Sequence, residues 1–193
     1  MPVAKPLTPY REHVRAWRNC TACPLCEDRR KVTFARGDVP CDVLFVGEAP
    51  GQTEDAWGQP FVGPAGIMLD RWVAEALDGR PGVLRIAFTN VVSCFPKAQK
   101  QTPDHAPPEE AIEACRPKLV EFVGIAKPRL IVLVGQVAKR NVPASVLAGR
   151  DAVEVVHPAS LMGSRKTPAE ASLLAKRAVM TLRTAFEELE CPF

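Results

Sequence analysis

The sequence predicts an α/β protein, a three-layer α/β/α sandwich around a central parallel sheet of about four strands. Three observations predict it: four short apolar runs bounded by turn residues, amphipathic helical patterns between them, and an alternation of the two without any internal repeat.

The first run, residues 42–47 (DVLFVG), is β-branched and apolar on both faces, as strands covered by helices on two sides are. Residues 85–92 (RIAFTNVV), 129–135 (RLIVLVG) and 152–157 (AVEVVH) repeat the pattern. Between the first two, residues 65–77 place Met68, Leu69, Trp72, Val73 and Ala76 on one helical stripe. Residues 109–126 do the same with Ile112, Cys115, Leu119 and Val123. Pro117 is expected to kink or restart that helix, because proline removes an intrahelical hydrogen bond. Residues 136–141 suit a short helix, and residues 168–189 a closing one with Pro168 in its first turn. Residues 97–108 (KAQKQTPDHAPP) form the one long irregular loop.

A length of 193 residues supports one hydrophobic core. We expect a single domain over residues 1–193, with 1–16 as an N-terminal extension and 168–193 as the closing helix and tail. No segment reaches the roughly 20 apolar residues of a membrane span, and the first ten residues hold three prolines and no apolar stretch of the secretory kind. A soluble, cytoplasmic monomer with no membrane partner is the expectation. The net charge of +3 does not by itself announce a nucleic-acid partner, so any phosphate contacts must come from a local patch.

Ligands of open α/β sheets bind beyond the carboxyl ends of the strands. There the first run leads into Gly47 and Glu48, the second carries Asn90, and the fourth ends at His157. Each has an ordinary structural reading: Glu48 as a helix cap, Asn90 in a turn, His157 as a satisfied rim histidine. Together, a carboxylate, an amide and an imidazole on one rim point to a site.

Seven cysteines in a cytoplasmic chain argue for metal rather than disulfides. Cys20, Cys23 and Cys26 offer two or three thiolates in one short stretch, Cys94 follows the second strand, and Cys115 lies on a helix stripe. Cys41 and Cys191 read as ordinary thiols. A ferredoxin run would require a further cysteine and proline where Arg30 and Lys31 stand. Spacing alone leaves an iron-sulfur cluster, a four-cysteine zinc site and, third, metal-free buried thiols.

The stretch GEAPGQTED at residues 47–55, followed by GQPFVGPAG at 58–66, closely resembles the first motif of the family 4 uracil-DNA glycosylases. Residues 20–25 (CTACPL) with Arg29 or Arg30, 89–94 (TNVVSC), 109–117 (EEAIEACRP), 128–135 (PRLIVLVG) and 157–161 (HPASL) resemble further blocks of that family, in its order, over roughly residues 17–162. The resemblance implies a uracil-DNA glycosylase-like fold and a hydrolase that removes uracil from single- or double-stranded DNA in base excision repair. It implies a [4Fe-4S] cluster on Cys20, Cys23, Cys94 and Cys115, with zinc as the alternative, and leaves Cys26 out. Glu48 and His157 occupy the family's catalytic positions. Gly47, Glu54, Phe61 and Asn90 occupy those that hold the base: Phe61 stacking on it, Asn90 bonding its Watson–Crick edge, and Glu54 crowding C5 against the methyl of thymine. Ser160, Leu161, Met162 and Arg165 follow as DNA contacts, the Leu161–Met162 pair as a wedge for the gap left by a flipped base.

This chain departs from the family pattern in three places. Ser93 and Phe95 flank Cys94 where basic residues are usual. The long loop is extended and contains His105, where a related branch has a basic, histidine-bearing insertion that traps it covalently on its product, but the arginine-rich run of that branch is absent and residues 48–50 read Glu-Ala-Pro rather than its Glu-Gln-Pro. Residues 136–151 are short, and Met162-Gly163 replaces an arginine close behind the leucine position, with Arg165 further on. Ordinary turnover is the expectation, with a non-catalytic or covalently product-trapping DNA binder of the same fold as the alternative.

Overall fold

The computed structural model describes residues 8–78, 80, 84–97, 106–163 and 166–190. Its strands are β1 (Arg36–Gly37), β2 (Val43–Gly47), β3 (Ile86–Asn90), β4 (Leu130–Val134) and β5 (Asp151–Val155), in the spatial order β1-β3-β2-β4-β5. The last four are parallel, as the sequence predicts; β1 adds a short antiparallel pairing of Arg36 with Phe88 and Gly37 with Ala87.

Along β2 the side chains alternate between two cores, the period-two consequence of strand geometry. Leu44 and Val46 join Ile131, Leu133 and the α5 (Glu109–Ala126) residues Ile112, Leu119, Phe122 and Val123. Val43 and Phe45 face the opposite layer, made by Leu69 and Trp72 of α4 (Pro64–Ala76) and Leu182 and Phe186 of α8 (Pro168–Glu190). The three-layer sandwich is thereby built.

Three details differ from the sequence reading. First, α5 runs through Pro117 as one helix. Its continuous stripe of buried Ala111, Ile112, Cys115, Leu119, Phe122 and Val123 outweighs one missing hydrogen bond. Second, β5 is not covered on both faces: it is the outermost strand, with Asp151, Ala152 and Glu154 exposed, and it stops two residues before His157. Third, the N-terminal extension contains a helix, α1 (Pro9–Trp17), capped by Thr8, whose hydroxyl accepts from the Arg11 N–H. α1 packs on α5 through His13, which is 2% exposed with Nδ1 3.0 Å from Glu121 Oε1, and through Trp17, whose Nε1–H donates to Glu121 Oε2 at 2.8 Å. Packing α1 there carries the following cysteine-bearing arm onto the body of the protein.

Candidate active site

A cavity of about 620 Å³ opens beyond the carboxyl ends of the strands and is lined by Glu48, Glu54, Phe61, Asn90, His157 and Met162 among others. Glu48 directly follows β2 and Asn90 ends β3. The ladder between the two strands continues past them, with Val91 N–H donating to Gly47 O and Val92 N–H to Glu48 O, each at 2.9 Å. Gly47 pairs with Asn90 across the ladder. A Cβ on Gly47 would collide with the ring of Phe61 and the side-chain oxygen of Asn90, so glycine is what lets both approach the strand end.

Phe61 is 6% exposed and holds a left-handed backbone, φ 55°, unusual for a bulky residue. Gly66, in the first turn of α4, makes room for it, since a Cβ there would strike the Phe61 carbonyl. The Phe61 ring lies 6.4 Å from the His157 ring, inclined by 29°. Glu54 is on α3 (Gln52–Trp57), and its carboxylate accepts the Gly51 N–H at 3.1 Å and the Gly63 N–H at 2.7 Å. Both oxygens thus tie together the two loops that wall the cavity, and the orphan N-terminal donor of α3 is served by Glu54.

His157 Nδ1 accepts the Ala159 N–H at 3.2 Å, which places the proton of a neutral ring on Nε2. Burial pushes its pKa below the usual histidine value, against an opposing pull from the Glu54 carboxylate. Burial thus favours the neutral imidazole, with one N–H to give. Gly135, at φ +86°, lies where any side chain would press on the His157 Cβ. Ser160 donates its hydroxyl to His157 O at 2.8 Å, so it braces the 3-10 turn Pro158–Leu161. The expected apolar pair is split: Leu161 packs against the core beside α4, whereas Met162 is 45% exposed at the cavity mouth. Arg165, His105 and Cys191 lie outside the described residues.

The cysteines come from three segments. Cys20 and Cys23 are half-buried in the arm before α2 (Leu25–Asp28), Cys94 is buried beyond β3, and Cys115 is buried on α5. Burial pushes the Cys23 thiol up, a backbone hydrogen bond at Leu25 opposes this, and the neighbouring charges of Cys115, Cys20 and Cys26 raise it further. Burial pushes Cys94 up to about 11, against Lys118 and Arg29. Arg29 bridges two of the segments, donating through Nη1 to Cys94 Sγ at 3.7 Å and through Nη2 to Cys20 O at 2.5 Å. Lys118 Nζ donates to Cys115 Sγ at 3.6 Å. Among the described residues no group of three or more His, Cys, Asp or Glu side chains is arranged to hold a metal ion. Cys41 is 1% exposed and pushed up to about 12 chiefly by burial, the ordinary thiol the sequence predicts.

Sequence reasoning quoted Arg29 and Asp55 within motifs without giving either a role, and it missed Lys118. Asp55 accepts the N–H groups of Arg30 at 2.9 Å and Lys31 at 3.4 Å, fastening the cysteine-bearing arm to α3 beside the cavity. Lys118 stands three residues after Cys115 and four before Phe122, on the buried stripe of α5, and that spacing was the available signal.

A catalytic-looking rim on a mostly parallel sheet defines the class, and comparison with known proteins agrees: the model of the uracil DNA glycosylase superfamily matches residues 34–179, and the chain belongs to that superfamily. Within it the similarity runs to type-4 members. The chain is 41% identical over 125 residues to a "Type-4 uracil-DNA glycosylase" of Pyrobaculum aerophilum, covering 64% of this chain and 59% of that protein. It is 34% identical over 164 residues to the Thermotoga maritima protein of the same name, covering 77% and 80%. With the Saccharolobus solfataricus protein of that name it shares 35% over 121 residues, covering 62% and 52%. The matches thus span little more than half the length of the first and third relatives and four-fifths of the second.

Proposed function

We propose that this chain is a monofunctional glycosylase that hydrolyses the N-glycosidic bond of uracil in DNA, leaving an abasic site for base excision repair. The observation that carries the reading is His157, whose Nδ1 accepts the Ala159 N–H and leaves Nε2 to donate, facing the same cavity as Glu48, Phe61 and Asn90.

A base inside a duplex cannot be reached, so the nucleotide must leave the stack. Met162, apolar and exposed at the cavity mouth, is suited to fill the gap left behind. Phe61 offers its ring to the extruded base, and Asn90, 5% exposed, offers a donor and an acceptor to its edge. Glu54 and Gly47 set the shape around them. As the glycosidic bond breaks, positive charge develops on the sugar and negative charge on the departing uracil. The Glu48 carboxylate stabilises the first and orients water; the His157 Nε2–H stabilises the oxyanion at O2. A neutral donor needs no reorganisation at that moment, since Ala159 already fixes its tautomer.

The chemistry of the donor set suits a [4Fe-4S] cluster: Cys20, Cys23, Cys94 and Cys115 are four thiols from three segments, near enough to act electrostatically on one another, with the cations of Arg29 and Lys118 against two of them. When bound, the cluster supplies a covalent brace between the arm and the segments around β3 and α5; none of the excision steps calls for a change in its oxidation state. Zinc is the alternative, and iron analysis separates the two.

A single-uracil oligonucleotide incubated with the protein and then treated with alkali is expected to break at the uracil. An intact strand with folded, iron-loaded protein refutes the proposal, and a band surviving denaturation at higher mass would replace turnover with covalent trapping.

A further inference from the structure

We infer that Lys118 is a cluster-facing cation, a positioning residue that donates to the Cys115 thiolate and offsets the negative charge of a thiolate-ligated iron-sulfur cluster; this rests on the reading of Cys20, Cys23, Cys94 and Cys115 as its ligands. Lys118 is 5% exposed, so its ammonium has little recourse to water. Among the described residues no carboxylate forms an ion pair with it. Among the described residues the hydrogen-bond partner of its ammonium is Cys115 Sγ, 3.6 Å away. A buried ammonium set against a neutral thiol is a costly arrangement, because a thiol is a weak acceptor without charge. Ligation removes the thiol proton and turns the sulfur into an anion, which converts the same contact into a charge-assisted hydrogen bond.

Helix geometry supplies the aim. Cys115 and Lys118 are three apart on α5, hence neighbours on one face, and Lys118 also acts electrostatically on Cys94 from the adjoining segment. Arg29 reaches Cys94 Sγ from the cysteine-bearing arm. The two cations therefore stand against different ligands, and only Lys118 is fully buried. Net charge and hydrogen bonds to sulfur are among the features that set cluster potentials. A positive charge beside the cluster favours its reduced, more negative form and raises the potential.

The test compares the iron-loaded full chain with its Lys118→Met and Lys118→Arg variants, by iron content, midpoint potential from spectroelectrochemistry, and the rate at which a chelator bleaches the visible absorbance. Lys118→Met is expected to favour the oxidised cluster by about tenfold, a downward shift of ~59 mV for one electron, and to bleach several-fold faster; Lys118→Arg, which keeps the charge, is expected to recover most of both. An unchanged potential and bleaching rate in Lys118→Met overturns the inference. If Lys118→Met fails to hold the cluster, retention in Lys118→Arg supports it and loss in both overturns it, since packing alone would then explain the position. Absence of iron from the wild-type chain, or zinc in its place, refutes the cluster reading itself and this inference with it.

Discussion

Two cavities of nearly equal size open at opposite ends of the same sheet, about 620 Å³ beyond the carboxyl ends of the strands and about 640 Å³ at their amino ends. The second is lined by Lys127, Arg129, Arg150 and Asp151 with their neighbours, and its arginines are occupied in holding the fold. Arg150 donates to Val146 O and Ala148 O, at 3.0 and 3.1 Å, and Arg129 donates to Leu189 O at 3.1 Å. The first cavity gathers a strained Phe61, a buried Asn90 and a histidine fixed in one tautomer. Volume does not separate the two ends; what separates them is that an aromatic ring, an amide, a carboxylate and an imidazole converge on one space, while the arginines of the other are bonded to backbone carbonyls.

Substitutions can break or sharpen this contrast. The largest effect is expected for Glu48→Ala and His157→Ala, each lowering the single-turnover rate by ~10²–10³ with far less change in DNA affinity; unchanged rates would dissolve the distinction between the ends. Gly47→Ala should come next, because the added methyl meets both Phe61 and Asn90. An overpacking cost of about 1–3 kcal/mol, read in kcat/KM, is expected. Glu54→Ala should accelerate excision of thymine relative to uracil, and by stranding the Gly51 and Gly63 N–H groups it should lower unfolding stability by about 1–3 kcal/mol. At the other end, Arg150→Ala should reduce stability by only about 1 kcal/mol and leave excision untouched.

The smallest effect is a titration. With its pKa depressed by burial, His157 should show the Nε2–H tautomer in nitrogen NMR at neutral pH and protonate only below the usual histidine value of about 6.5. Its contribution to stability is therefore present above that value and is lost as pH falls through the lower, folded-state pKa. A ring that is charged at pH 7 would refute the assignment.

Much of this was legible in the sequence because it is periodic. The four parallel strands and the helices α4, α5 and α8 announce themselves by apolar spacing, and the rim position of Glu48, Asn90 and His157 follows from where those strands end. Short elements do not advertise themselves: β1 is two residues long and pairs with β3 through tertiary placement. α1 was missed although Thr8 and Pro9 supply a cap and a first-turn proline. Leu161 and Met162 are adjacent and alike in hydrophobicity, and only the 3-10 turn decides that one packs inward and the other outward. Lys118 is the most instructive omission. A lysine within an apolar stripe is ordinarily read as pointing to water, and only the neighbouring sulfurs reveal what its charge faces.

The exposed strand β5 has one further consequence. An outermost strand presents open backbone groups to which a second copy of the chain can add itself, the usual seed of aggregation. Here that strand is five residues long and carries Asp151 and Glu154 on its exposed positions, with Glu154 engaged by Lys139 at 2.8 Å. Over so short a span little hydrogen bonding is available to an added strand. The edge that leads into the His157 turn is thus short and carries charge at its exposed positions.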